Sequence, residues 1–168
     1  MLYMFLVWLH ILVATLWVGG MLFLVFVVVP WLRTPGGRKN AGVFLRETGV
    51  RFRNVAWWCF GILFVTGAAN LWYRGMRLEN FVESRWLASP FGQSVMWKLG
   101  LFVLALLVSA VHDFVVGPRA TAAIIADPCS EDAQVARKRA SILGRVNVLL
   151  ALAIVALAVT IVRGWPHG

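Results

Sequence analysis

Hydrophobic positions form four long segments, and clusters of polar residues separate them. The segments run from Met1 to Leu32, from Asn54 to Tyr73, from Trp86 to Asp113 and from Val146 to Val162. A helix needs about 20 apolar residues to cross the hydrocarbon core of a bilayer, and about 17 suffice. The pattern predicts one transmembrane domain over residues 1–168. We expect an all-α fold, an integral membrane four-helix bundle with helices near 3–29, 55–73, 93–116 and 140–162.

Local signals predict where these helices begin and end. Because proline cannot continue the backbone hydrogen-bond ladder, Pro30 is predicted to end the first helix and Gly117-Pro118 the third. Ser130 is followed by Glu131 and Asp132, a pattern typical of a helix start with acidic residues at the positive end of the dipole. The fourth helix is therefore expected to begin before the membrane and to continue into it.

Composition agrees with a membrane protein and excludes an ordinary soluble enzyme. Hydrophobic residues make up 61% of the chain and charged residues only 14%. A soluble domain of this length cannot hide so much apolar surface. The net charge of +9 comes from basic residues that lie between the apolar segments. The expected partner is therefore the lipid bilayer and not nucleic acid.

The basic residues also predict the orientation of the chain. Cytoplasmic connections of membrane proteins are enriched in Lys and Arg. Both termini are therefore expected on the outer side of a bacterial-type inner membrane, because the first and third connections carry eleven of the sixteen Lys and Arg residues: Arg33, Arg38, Lys39, Arg46, Arg51, Arg53, Arg119, Arg137, Lys138, Arg139 and Arg145. Tryptophans at two levels are typical of interfacial belts: Trp31, Trp57 and Trp58 on one face, and Trp72, Trp86, Trp97 and Trp165 on the other.

Polar residues at membrane depth are expensive and are therefore functional candidates. With about 1.5 Å of rise per residue, His10 lies about 10 Å and Lys98 about 7 Å below the outer end of their helices. Asn70 lies within about 5 Å of the same face, whereas His112 is about 21 Å deeper than Lys98. His10 and Lys98 can therefore meet, and His10 and His112 cannot share one metal ion within a chain.

Each of these residues also has a purely structural interpretation. Lys98 can extend its ammonium group to the outer headgroups, and His10 can bond a neighbouring helix. His112, beside Asp113, can complement the helix dipole. Trp17 can simply pack in the hydrophobic core. A small accessory subunit, in which polar groups only hold helices together, is therefore one of the function classes that remain open.

A haem site fits the outer residues. Haem needs one strong axial ligand and an apolar slot between helices. His10 is the candidate iron ligand, Ala14 and Ala105 are small enough to admit the ring, and Lys98 is a candidate sixth ligand or propionate partner. The other predicted cofactor-binding residues are Trp17, Asn70 and the propionate-binding arginines Arg74, Arg77 and Arg163.

Copper is the alternative cofactor, because Met, Cys and His are ligands that Cu(I) prefers. The candidate copper ligands are Met1, Met4, Met96 and His112, with His10 near the outer face and Met21 and Cys59 toward the inner face. A gap of about 10–20 Å without such ligands separates the two levels. Cys59 and Cys129 are not expected to form a disulfide, because one lies in the membrane and the other in a reducing compartment.

Several short motifs resemble a known family. The motifs are Leu9-His10, Trp17-Val18-Gly19-Gly20, Arg51-Phe52, Thr66-Gly67, Pro90-Phe91-Gly92-Gln93, Trp97-Lys98-Leu99 and Gly117-Pro118-Arg119. Together they resemble the membrane domain of copper resistance protein D. This resemblance implies a multi-pass membrane protein with a role in copper handling.

His10 and Lys98 also resemble the His and Lys of HemJ-type protoporphyrinogen oxidases. That resemblance implies a b-type haem supported by these two residues. The run that follows the first helix in the HemJ type, YLPRLFVYH, is absent here; this chain has Phe23-Leu24-Val25-Phe26 and Val29-Pro30-Trp31. The implied role is electron transfer or membrane redox chemistry, with a quinone, a redox protein or a second copy of the chain as partner.

Overall fold

Four long helices make up most of the computed structural model, which describes residues 1–38 and 41–163. They are α1 (Leu2–Trp31), α2 (Ala41–Tyr73), α3 (Pro90–Ala126) and α4 (Glu131–Val162). All four are long and apolar enough to cross a membrane, which confirms the predicted all-α membrane bundle. Four predicted features lie outside the described part: Lys39, Trp165 and the side chains of Arg38 and Arg163.

The bundle has two chemically different ends. At the terminal end, α1 and α3 begin and α2 and α4 finish, and the connection from α2 to α3 contains the short helices Leu78–Val82 and Ser84–Ala88. At the opposite, basic end, the helix Pro35–Arg38 follows α1, and a turn joins α3 to α4. Ser130 caps α4 by accepting a hydrogen bond from the Ala133 N–H at 3.2 Å, at the helix start that the sequence predicts.

Every long helix extends beyond its predicted bounds at the basic end. α2 starts at Ala41 and not near residue 55, and α3 continues to Ala126 and not to residue 116. The first helix ends within one residue of Pro30, close to its predicted end, whereas Pro118 does not terminate its helix, because α3 runs eight residues past it. The charged residues between the apolar segments are therefore largely helical and extend the bundle beyond the hydrocarbon layer.

Two π-helical segments explain how the prolines are accommodated. They cover Leu24–Val28 in α1 and His112–Val116 in α3, and each ends two residues before a proline. The residue before each proline donates its N–H five residues back, Val29 to Leu24 O and Gly117 to His112 O. Widening the helix in this way is a known adjustment at a site where proline removes a donor.

The core lies where α1 and α2 meet α3 and α4. Trp17 and Phe60 are each 3% exposed, their ring centroids are 5.0 Å apart, and Ala105 is fully buried beside them. Across from them, Asn147 Nδ2 donates to Ser109 Oγ at 2.8 Å. Most other large apolar side chains face outward, as expected where lipid replaces water.

The two halves of the chain repeat one helical hairpin with an offset of 88 residues. Pro30 corresponds to Pro118 and His10 to Lys98, so each proline follows a π segment in the same register. Five of the positions that are buried in α1 and α2 are also buried 88 residues later in α3 and α4. The buried pairs are Trp17 and Ala105, Met21 and Ser109, Cys59 and Asn147, Leu63 and Ala151, and Thr66 and Ile154.

Candidate functional site

His10 is held by a single polar contact to the neighbouring helix. Its Nδ1 lies 2.7 Å from Thr66 Oγ1 of α2, and Thr66 Oγ1 also lies 2.7 Å from the carbonyl oxygen of Ile62. With the imidazole proton on Nδ1, the Thr66 hydroxyl accepts this proton and donates its own to Ile62 O. The other ring nitrogen, Nε2, has no hydrogen-bond partner among the described residues, and in this tautomer it keeps its lone pair.

Gly67 makes room for this imidazole. A Cβ atom built at Gly67 lies 3.4 Å from His10 Cε1 and 3.9 Å from His10 Nδ1, with no other neighbour within 4 Å. Thr66 and Gly67 are adjacent on α2, so one residue binds the ring nitrogen and the next lets the ring approach the helix. The Thr-Gly pair thus fixes both the orientation and the depth of His10.

Positive charge collects beside His10 at the terminal end. Lys98 of α3 is half-buried and close enough for its charge to act on the His10 ring, and the charge of Arg74 acts on Lys98 in turn. Arg74 Nε donates to Tyr3 Oη at 3.3 Å. Over the described residues, the one acidic side chain in an ion pair is Asp113, with His112. Lys98 and Arg74 are therefore available to an anionic ligand.

Two other predicted residues of the outer site differ in their surroundings. Asn70 lies one turn beyond Thr66, and its buried Oδ1 accepts no hydrogen bond from the described residues. Arg77 turns away, with its guanidinium 3.9 Å from the centroid of the Trp72 ring and bonds to the carbonyls of Trp72 and Met76. Asn70 therefore retains an open acceptor, whereas Arg77 stabilises the end of α2.

The interior below His10 is filled. Trp17 packs against Phe60 in the core, and Ala105, fully buried, leaves no slot for a ring at its level. Ala14 and His10 are both partly exposed. His10 is therefore partly accessible at the margin of the bundle, one turn before Ala14 on α1, and not from between Ala14 and Ala105.

The predicted copper residues are not brought together. Met1, Met4 and Met96 are exposed at the terminal end. His112 lies 16 residues along α3 from Met96, about 24 Å by helical rise, and its Nδ1 is 2.9 Å from Asp113 Oδ1. In the parts of the chain that the structure describes, no three His, Cys, Asp or Glu side chains converge on one point. Both cysteines are free.

Sequence reasoning missed Thr66 as the partner of His10. Thr66 lies seven residues before the end of α2 at Tyr73, about 10 Å below the terminal end, and His10 is at a similar depth. The same depth arithmetic that pairs His10 with Lys98 could have found this contact.

Comparison with known proteins gives the family. The sequence model of copper resistance protein D matches residues 46–161, from the charged start of α2 almost to the end of α4. The chain belongs to the copper resistance protein D family. A protein of Aquifex aeolicus (strain VF5), described as uncharacterized, is 33% identical over 158 residues, which cover 94% of this chain and 93% of that protein. No solved structure matches the chain.

This membership confirms the first of the two resemblances seen in the sequence. The matched range includes Thr66, Gly67, Asn70 and Lys98, but it starts after α1 and therefore excludes His10. The similarity to HemJ-type oxidases stays a prediction.

Proposed function

We propose that this member of the copper resistance protein D family is a membrane haem protein, with a b-type haem bound near the outer leaflet through His10 Nε2. The observation that carries the proposal is the 2.7 Å contact between His10 Nδ1 and Thr66 Oγ1. A ligating histidine characteristically donates its other ring N–H to a second group, which fixes its tautomer and orientation. His10 has this arrangement at membrane depth.

The donor set favours haem over a bare copper ion. Haem brings four nitrogen ligands of its own, so one imidazole from the protein suffices to hold the iron. A bare ion would need further protein ligands beside His10, and the described His, Cys, Asp and Glu residues form no such group. His10 alone is therefore a poor copper site and an adequate haem ligand.

The surrounding charges suit the haem propionates. Lys98 and Arg74 have no carboxylate partner among the described residues, and Arg74 lies at the terminal end where propionates would meet water. Lys98, if deprotonated, is the alternative sixth ligand. The bound haem would supply one-electron redox chemistry, and Ala14 marks the partly exposed side on which the ring is accommodated.

Copper binding is the second candidate, and the family name favours it. Met21 and Cys59 are both buried in the same core cluster, 7% and 3% exposed, and both are soft donors. A Cu(I) ion held by these two residues would lie deeper than His10. Copper is then expected in purified protein with no haem.

We also propose the orientation that the basic residues predict, with both termini outside a bacterial inner membrane. The charged start of α2 and the charged start of α4 then lie in the cytoplasm, and the His10 site lies in the outer leaflet. A redox partner outside the cell membrane, or a quinone within it, could exchange electrons with a haem at this depth.

The proposed function is tested on the purified protein. Absorption spectroscopy is expected to show a Soret band, and metal analysis is expected to show about one iron and no copper per chain. Stoichiometric copper without a Soret band would support the copper alternative and contradict the haem proposal.

A further inference from the structure

A second polar cluster lies at the basic end of the bundle, whereas His10 lies at the terminal end. Trp57 Nε1 of α2 donates to Asp113 Oδ2 of α3 at 3.1 Å, and His112 Nδ1 lies 2.9 Å from the other oxygen, Oδ1. The Asp113 side chain is only 17% exposed. Both carboxylate oxygens are therefore engaged, and Oδ2 holds the Trp57 ring by its N–H group.

The π segment of α3 adds a second hydrogen bond between the two helices. The Gly117 N–H bonds to His112 O, and Pro118 has no N–H, so neither residue donates to Asp113 O. Arg53 of α2 donates to this oxygen at 3.3 Å. Its guanidinium carbon also lies 5.3 Å from the centroid of the Phe114 ring. Arg53 is thus held in place beside Phe114.

The fold itself does not require this cluster. The corresponding π segment of α1, Leu24–Val28, precedes Pro30 with the same spacing and is entirely apolar. Its residues at the positions of His112 and Asp113 are Leu24 and Val25. The π segment of α1 therefore forms without His or Asp, so these two polar residues of the α3 segment need a separate explanation.

A shallow groove, open to the surroundings, lies next to the cluster. Its lining residues are Arg53, Asn54, Trp57, Trp58 and Phe114. Trp58 and Phe114 are 75% and 58% exposed, and Trp57 packs against Phe114 with ring centroids 5.6 Å apart. The groove thus combines aromatic side chains with two side chains that carry N–H donors, Arg53 and Asn54. Its position corresponds to the level of the membrane interface.

We propose that this groove binds the headgroup of a membrane quinone. A quinone is a flat, neutral ring with two carbonyl oxygens and an apolar tail. Trp57, Trp58 and Phe114 offer faces for the ring, Arg53 and Asn54 offer donors to a carbonyl, and the exposed aromatic side chains leave the tail free to remain in lipid. His112 and Asp113 act as positioning residues, since they orient Trp57.

An anionic phospholipid is the competing occupant, because basic pockets on this side of a membrane attract such headgroups. The Asp113 carboxylate directly behind the groove opposes a phosphate, whereas a neutral ring meets no such repulsion. The groove also has more aromatic than basic residues, which favours a ring over a phosphate. The binding does not depend on the proposed haem, because every residue of the groove lies at the other end of the bundle.

The test uses the full-length protein in nanodiscs of neutral phosphatidylcholine and the probe decylubiquinone. The probe is fully substituted on its ring, so it cannot add to the exposed Cys129 thiol. Titration is expected to quench tryptophan fluorescence in a saturable way, with one probe per chain. Trp58→Ala and Asn54→Ala are expected to weaken binding about fivefold or more, because each removes one exposed contact.

Matched controls separate the groove from the rest of the surface. Arg51→Gln removes an exposed charge two residues from Arg53, and Trp8→Ala removes an exposed tryptophan at the terminal end, so both are expected to bind the probe normally. For the positioning role, Asp113→Ala is expected to weaken binding and Asp113→Asn, which keeps one acceptor oxygen for Trp57, to restore most of it. Thermal melts of all variants identify any that fail to fold.

Two results would overturn the proposal. One is quenching that does not saturate, or that is equal in Trp58→Ala, Asn54→Ala and the wild type. The other is displacement of the probe by a small fraction of phosphatidylglycerol in the nanodisc, which would assign the groove to an anionic lipid. A failure of either kind leaves the Soret band unchanged and is therefore distinguishable from a failure of the haem proposal.

Discussion

Thr66 Oγ1 lies 2.7 Å from His10 Nδ1, and Nε2 of the same ring has no hydrogen-bond partner among the described residues. Thr66 Oγ1 also lies 2.7 Å from Ile62 O, one turn back on the same helix. With the His10 proton on Nδ1, the hydroxyl accepts from His10 and donates to Ile62 O. This relationship connects a threonine of the family-matched region with a histidine that lies before it.

Replacing Thr66 with valine tests this contact, because valine has nearly the same shape and accepts no hydrogen bond. Thr66→Val is expected to lower the free energy of unfolding by about 1 kcal/mol and to lower the haem content of the purified protein. Thr15→Val is the control, since Thr15 Oγ1 bonds only to Ile11 O of its own helix at 2.9 Å. An equal loss of haem in both variants would show that Thr66 has no specific role.

Gly67 offers a steric test of the same site. A Cβ atom at Gly67 would already touch His10 Cε1 at 3.4 Å, so the two methyl groups of valine are expected to displace the ring. Gly67→Val should therefore lose most of its Soret absorbance relative to the protein absorbance at 280 nm. Gly61→Val, where a Cβ atom meets nothing within 4 Å, has the same helix propensity cost and should keep its haem. Retention of haem by Gly67→Val would contradict the placement of His10.

The buried pair of Ser109 and Asn147 predicts a non-additive effect on stability. Ser109→Ala leaves Asn147 Nδ2 without its 2.8 Å partner and is expected to cost about 1–3 kcal/mol in the free energy of unfolding. Adding Asn147→Leu, which removes the stranded amide at similar volume, should recover most of that loss. Unfolding in mixed micelles measures both variants, and a double variant less stable than Ser109→Ala would contradict the prediction.

Cysteine labelling tests the proposed orientation. Cys129 is exposed in the connection between α3 and α4, and Cys59 is buried, so the native chain has one accessible thiol. A membrane-impermeant maleimide is expected to label Cys129 only after the membrane is permeabilised. Glu79→Cys in a Cys129→Ser chain should be labelled in intact cells. The reverse pattern would place the termini and His10 on the cytoplasmic side.

The sequence was sufficient to predict the four spans and the helix start at Ser130, because uncharged length and capping residues act locally. Helical rise also predicts that His10 and Lys98 lie at a similar depth, and the charge of Lys98 does act on the His10 ring. Pro30 predicts the end of α1 to within one residue, whereas Pro118 was misleading. The π segment before Pro118 accommodates the missing N–H donor and lets α3 continue, and no local residue pattern predicts this adjustment.

The candidate sites were predicted only in part, for reasons of packing. The slot expected between Ala14 and Ala105 is closed at Ala105, because Trp17 and Phe60 fill the space around it. The groove beside Arg53 forms only where particular faces of α2 and α3 pack together. The contacts that define this packing join residues about 60 positions apart in the sequence, such as Arg53 and Asp113. Helical periodicity shows which residues share a face but not which faces are paired.

The absorption spectrum of the His10→Ala variant tests the central claim most directly. Wild-type protein and His112→Ala are expected to carry about one b-type haem per chain, measured as the pyridine haemochrome, whereas His10→Ala should carry almost none. His112→Ala serves as the control because it removes an imidazole at the other end of α3. Equal haem in His10→Ala and the wild type, or stoichiometric copper and no haem in the wild type, would contradict the assignment of His10 as the haem ligand.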